Sequence, residues 1–132
     1  MNIVFISNIV LEPWLDSLMR NKFGQGTSIK FINYAEHKTE KSNILIRDAD
    51  YLIVCLNWEL EHPDIVNCII KEKEKKEEIF NSTKNFYSCL YRNLKFITKA
   101  KIIWFGFEDY YMQYKYVIGN GRRYQMSLFY GF

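Results

Sequence analysis

Four short apolar runs punctuate the chain, and each empties into a small polar or glycine-containing cluster. Ile3-Val4-Phe5-Ile6 ends in Ser7-Asn8, and Ile29-Lys30-Phe31-Ile32 ends in Asn33-Tyr34. Leu52-Ile53-Val54-Cys55-Leu56 ends in Asn57, and Ile102-Ile103-Trp104-Phe105 ends in Gly106. Continuous apolar runs of this length suit strands buried on both faces, as in a parallel sheet covered by helices. In such a sheet every carboxyl-end cluster falls on one edge, where open α/β folds bind ligands. The four clusters are therefore expected to gather along one rim.

Helical spacing fills the intervals. Pro13 suits the first turn of a helix, where its missing N–H costs little. Trp14, Leu15, Leu18 and Met19 then repeat on one face, and Phe23-Gly24 supplies the stop. Glu40 to Arg47 predicts a short helix around Ile44 and Leu45, broken by Asp48-Ala49-Asp50 before the third strand. Pro63 opens a further helix, with His62 just before it and Asp64 near the positive end of its dipole. Its apolar face begins at Ile65, Cys68, Ile69 and Ile70, thins, and resumes at Ile79, Phe80, Phe86, Tyr87, Leu90, Leu94 and Ile97. Asn81-Ser82-Thr83 is a candidate break that would divide it into two helices. Such a helical stretch between buried strands is a crossover, expected to be right-handed. Beyond Phe107, Gly119-Asn120-Gly121 is a turn signal between Tyr110, Tyr111, Tyr114 and Tyr116 on one side and Tyr124 to Phe132 on the other. A hairpin and a segment awaiting a packing partner both fit that region.

The 132 residues match one domain with one core, and 48% hydrophobic with 25% charged residues is ordinary globular composition. An aromatic share of 17% adds either a generous core or surface meant to be covered. The chain is expected to be a single α/β domain over residues 1–132 and the N-terminal fragment of a longer protein. Its net charge of +3 is spread among 15 acidic residues. The one dense run, Lys71 to Glu78, alternates sign like a solvated helix face, so nucleic acid is not an expected partner. Cys55, Cys68 and Cys89 are far apart with no CxxC, which argues against a disulfide framework or a zinc site. No run approaches bilayer length, so no membrane partner is expected. Cytoplasmic location, no metal and no cofactor complete that expectation.

Ser7 and Asn8, at the end of the first strand, are the sharpest candidates for chemistry. A serine there lies near the next helix's N-terminus, where backbone N–H groups favour an oxyanion. The same residue type also satisfies backbone groups at strand-to-helix turns without reacting. A serine nucleophile needs a base, and only His37 and His62 are available, each following a strand and each also suited to a surface or capping role. Glu36, Glu59, Glu61, Glu108 and Asp109 crowd the same edge, as an acid/base pair, a cation site or ordinary solvated loop acids. Ser-Asn-Ile-Val-Leu-Glu-Pro after the first strand is neither a dinucleotide fingerprint nor a P-loop. Asp48-Ala49-Asp50 precedes its strand, on the wrong edge for a phosphatase aspartate pair.

The opening Ile3 to Pro13, with its strand ending in Ser7-Asn8 before a turn and a proline, resembles the start of the N-terminal domain of FkbH-like proteins. Phe105-Gly106-Phe107-Glu108 and the later Gly119-Asn120 are similar to that domain's later strand and Gly-Asn turn. The resemblance implies an SGNH (GDSL-like) hydrolase fold with Ser7 at the nucleophile position. It also implies association with enzymes that load glyceryl units onto acyl carrier proteins. Two departures bear on activity. Gly106-Phe107-Glu108-Asp109 stands where SGNH hydrolases carry Gly-x-Asn-Asp, replacing the amide donor of the oxyanion hole with an acid. No Asp-x-x-His follows it, so the family's base is missing.

The resulting expectation is a three-layer α/β sandwich with a mainly parallel sheet of order 2-1-3-4, SGNH-hydrolase-like or flavodoxin-like. Ser7, with His37 or His62 as base, is the catalytic set if the domain reacts at all. Asn8, Asn57, Gly106 and Glu108 are the substrate-binding set. The expected role is recognition of an acyl or glyceryl group, or of an acyl carrier protein, with weak or absent autonomous esterase activity. The alternative is a non-catalytic interaction module that forms homo-oligomers through its aromatic C-terminal segment.

Overall fold

The computed structural model describes residues 1–65 and 76–105. Their contacts group into two compact units. The first holds Met1–Asn57 and Tyr91–Phe105, and the second holds the segment from Trp58 to Leu90.

The first unit is built on four parallel strands, β1 (Asn2–Ser7), β2 (Ser28–Asn33), β3 (Tyr51–Cys55) and β4 (Lys101–Phe105). All three pairings are parallel and the spatial order is β2-β1-β3-β4. The fold is therefore α/β with the flavodoxin-like layout that the four apolar runs predict. Ser7 pairs with Asn33 on one side and Cys55 on the other, and Cys55 pairs with Phe105. The carboxyl ends of all four strands thus lie on one edge, as expected.

Helix α1 (Glu12–Phe23) covers one sheet face: Leu11, Leu15 and Met19 pack on Ile3, Phe5, Ile29 and Ile53. Phe5 stacks on Phe31 at 5.1 Å between ring centroids. The helix ends at Gly24, whose φ of 79° lies in the region that disfavours a Cβ and whose N–H bonds the Arg20 carbonyl at 2.9 Å. Connections β2→β3 and β3→β4 run opposite to β1→β2, so right-handed crossovers carry their helices to the other face. Those helices are α2 (Glu40–Arg47) and the last part of α4 (Lys76–Ile97), from Tyr91 onward; the short α3 (Trp58–Glu61) and the rest of α4 belong to the second unit. Ile46 of α2 and Leu94 of α4 are almost without solvent exposure, as are Val4, Ile6, Leu52 and Val54 on the strands. The Thr39 hydroxyl caps α2 by accepting the Ser42 N–H at 3.3 Å.

Two expectations need correction. The Asn81-Ser82-Thr83 break does not occur, and α4 runs through it. Thr83 is buried and its hydroxyl donates to the Ile79 carbonyl at 2.8 Å, which satisfies the polar group inside the helix. Nor are all four strands buried on both faces. Central β1 and β3 are, whereas β2 alternates and β4 turns Lys101, Ile103 and Phe105 outward. An edge strand has a neighbour on only one side, and here no helix covers the α1-side face of β4 among the described residues.

At the amino edge, Asp50 joins three strands. Its carboxylate accepts the Asn2 N–H at 2.6 Å, its own N–H donates to Asn2 O at 2.8 Å, and its carbonyl accepts the Lys101 N–H at 3.0 Å. The aspartates before β3 therefore tie the sheet together at the edge away from Ser7. No helix among the described residues is long and apolar enough to cross a membrane. Neither Cys55 nor Cys89 is in a disulfide.

Candidate functional site

The carboxyl edge of the sheet places Ser7, Asn8, Asn33, His37, Cys55 and Asn57 at the ends of adjacent strands. In the 2-1-3-4 order the chain reverses direction between β1 and β3, and such a switch point leaves a crevice where doubly wound folds take ligands.

Ser7 is only 6% exposed. Its hydroxyl donates to the Ile9 carbonyl at 2.7 Å and accepts the Ile9 N–H at 3.0 Å. Both bonds belong to the turn that leaves β1, and neither involves an imidazole. Among the described residues no imidazole or carboxylate is hydrogen-bonded to this hydroxyl, the contact by which a base would activate it. The turn leads to α1, where Leu11 occupies the N-cap without a side-chain cap, Pro13 lies in the first turn and Glu12 supplies a favourable charge.

Asn8 acts across the switch point. Its Nδ2 donates to the Asn57 carbonyl at 3.0 Å, and its Oδ1 accepts the Asn57 N–H at 2.6 Å. A carboxamide has the donor and acceptor of a peptide group, so Asn8 extends the β1–β3 ladder beyond its last backbone pair. Sequence reasoning marked Asn8 and Asn57 as donors toward a substrate and missed their pairing. The signal was available: each asparagine comes just after the last ladder residues, Ser7 and Cys55, of two neighbouring strands.

His37 lies beyond the end of β2. Asn33 caps the intervening 3₁₀ turn (Tyr34–Glu36) by accepting the Ala35 N–H at 3.0 Å. The His37 imidazole stacks on Tyr34 at 4.5 Å with 10° between planes, and its Nδ1 hydrogen-bonds the Tyr34 carbonyl. A carbonyl only accepts, which assigns the proton to Nδ1 and leaves Nε2 as the basic atom of the neutral ring.

His62 belongs to the second unit, where its carbonyl accepts the Ile65 N–H at 3.0 Å at the start of a helical segment. Its ring meets Phe86 edge-on at 4.8 Å and Tyr87 at 5.2 Å. Desolvation against this apolar surround lowers its pKa below the ordinary histidine value, opposed by the adjacent Glu61 carboxylate. Its Nε2 is buried without a hydrogen-bond partner among the described residues. Burial pushes the Cys55 thiol up, away from the thiolate a nucleophile needs. Gly106, Glu108 and Asp109 lie outside the described residues, as does the aromatic C-terminal segment. Among the described residues no cluster of three or more His, Cys, Asp or Glu side chains is placed to hold a metal ion.

A second feature escaped the sequence reading. An open apolar groove of about 290 Å³ lies on the α1 side of the sheet, between Met19 and Phe23 of α1 and Ile3, Tyr51, Ile53 and Ile103 of the strands. It occupies the amino half of the sheet, away from Ser7. The outward residues of β4 were the clue, since Ile103 and Phe105 alternate with more protected Ile102 and Trp104. No protein-family model, curated protein or solved structure matches this chain.

Proposed function

We propose that this chain is an FkbH-like, SGNH-related recognition domain that binds a small acyl or glyceryl group, free or on an acyl carrier protein, at the β1/β3 switch point, without hydrolysing it on its own. One observation carries the reading: Ser7 stands at the carboxyl end of the central strand, with its hydroxyl bonded on both sides to Ile9 rather than to a base. That arrangement favours a polar recognition edge over a nucleophile. It agrees with the sequence, in which Glu108 stands where the resemblance expects the amide donor of the oxyanion hole. In this role Ser7 and the turn to α1 shape the pocket floor, while the N–H groups opening α1 favour a carbonyl or carboxylate oxygen.

Titrating the ¹⁵N-labelled chain with acetyl-pantetheine tests the proposal. Amide shifts are expected at residues 7–11 and 55–57, and a fluorophosphonate is expected to leave Ser7 unlabelled. Absence of shifts at millimolar ligand removes recognition at this edge. Rapid labelling that Ser7→Ala abolishes replaces the proposal with a working serine hydrolase.

A second reading, a non-catalytic module that pairs with another copy of itself, is favoured by the uncovered row of Tyr51, Ile103 (38% exposed) and Phe105 (60% exposed) beside α1. Light scattering coupled to size exclusion decides it: a dimer that Phe105→Ser dissociates supports it, and a monomer at all concentrations removes it.

A further inference from the structure

We propose that Asn8 is a clasp that holds the β1/β3 crevice shut, so that entry of a ligand at this edge requires the Asn8 carboxamide to let go of Asn57. The inference rests on the recognition role proposed above and adds its gating. Three observations lead to it. The two bonds between the Asn8 carboxamide and the Asn57 backbone, at 3.0 and 2.6 Å, join the two loops that flank the switch point. Ser7, the residue before the clasp, is 6% exposed although it ends its strand on the edge where a ligand would arrive. Its hydroxyl is folded back on Ile9, the residue after the clasp, so the whole turn from Ser7 to Ile9 is tied down at once.

A side chain is a reversible way to close such a gap. A further backbone rung would require both loops to stay extended, whereas rotation about the Asn8 side-chain bonds breaks these two bonds without moving either strand. The Asn57 N–H and carbonyl, released by Asn8, would then offer a donor and an acceptor to the crevice. They suit a ligand that offers the same pair, such as the amide of a pantetheine arm, which would replace Asn8 bond for bond. Closure thus hides polar groups that the ligand later uses.

Cys55 provides a reporter that does not depend on serine chemistry. It ends β3 in register with Ser7 and is half-buried. The experiment follows iodoacetamide alkylation of Cys55, by peptide mass spectrometry, in the full chain and in Asn8→Ala and Asn8→Asp. Amide hydrogen exchange at Leu52, fully buried in β3, reports global opening in the same samples. Loss of both carboxamide bonds is expected to accelerate Cys55 alkylation about tenfold or more beyond any change at Leu52. Asn8→Asp keeps the acceptor for the Asn57 N–H and is expected to fall between. Cys55 alkylation that is unchanged, or that rises only in step with Leu52 exchange, overturns the clasp. Failure of the recognition role is read separately: absent acetyl-pantetheine shifts with accelerated Cys55 alkylation remove the ligand and leave a clasp that closes the crevice.

Discussion

Replacing Ser7 with alanine separates a turn residue from a nucleophile by stability alone. The hydroxyl makes two hydrogen bonds, to the Ile9 carbonyl at 2.7 Å and from the Ile9 N–H at 3.0 Å, inside a site 6% exposed. Each such bond contributes about 0.5–1.5 kcal/mol net. Ile9 itself is 39% exposed, so water rescues part of the loss at its backbone groups. The expected cost of Ser7→Ala is therefore about 1–2 kcal/mol. Urea unfolding followed by circular dichroism measures it; with a slope of about 1–2 kcal/mol per M, the midpoint should fall by roughly 1 M. Ser17→Ala, exposed on α1, is the control and should stay within about 0.5 kcal/mol of the parent. Catalytic side chains held ready for substrate commonly behave in the opposite sense, because their removal relieves polar strain. A Ser7→Ala protein as stable as the Ser17→Ala control, or more stable than the parent, would refute the structural role assigned to this hydroxyl.

Ile6→Ala, at the fully buried centre of the sheet, should cost about 3–4 kcal/mol. Ile103→Ala, on the open face of β4 at 38% exposure, should cost about 1 kcal/mol or less, and equal losses in the same urea series would contradict an uncovered β4. For His62, burial beside Phe86 and Tyr87 lowers the folded pKa below the 6.5 of an unperturbed histidine. As pH falls below that value the unfolded chain takes up the proton first, so stability should decline until the folded-state pKa is passed. His62→Phe should remove that component of the pH dependence; an unaltered slope between pH 7 and 5 would assign it elsewhere.

Strand identity was legible because each strand is a short, mostly apolar run ended by a small polar or glycine-containing cluster, a local property of a few consecutive side chains. The limits of α1 and α2 were legible for the same kind of reason, with Pro13, Gly24 and Asp48 acting within one turn of themselves. The strand order 2-1-3-4 also followed, since buried parallel strands joined by helices admit few right-handed arrangements. The break assigned to Asn81-Ser82-Thr83 did not occur, because whether Thr83 breaks a helix depends on what its hydroxyl can reach, and the Ile79 carbonyl is one turn away.

The chain by itself thus determined the four strands and the limits of α1 and α2, and that Ser7, Asn8, His37, Cys55 and Asn57 belong to loops or strand ends of one sheet edge. Tertiary structure alone decided what those groups do there. Residues 8 and 57 form a pair only when β1 and β3 are neighbours in register, and Ser7 is turned to Ile9 only once the exit to α1 is set. The exposure of Ile103 and Phe105 likewise depends on β4 lying at the edge of the sheet, beyond the reach of α1. Local patterns encode the backbone because propensity and periodicity act over a few residues. Hydrogen-bond partners and solvent exposure at the site depend on atoms brought together from distant parts of the sequence, and only the assembled sheet specifies them.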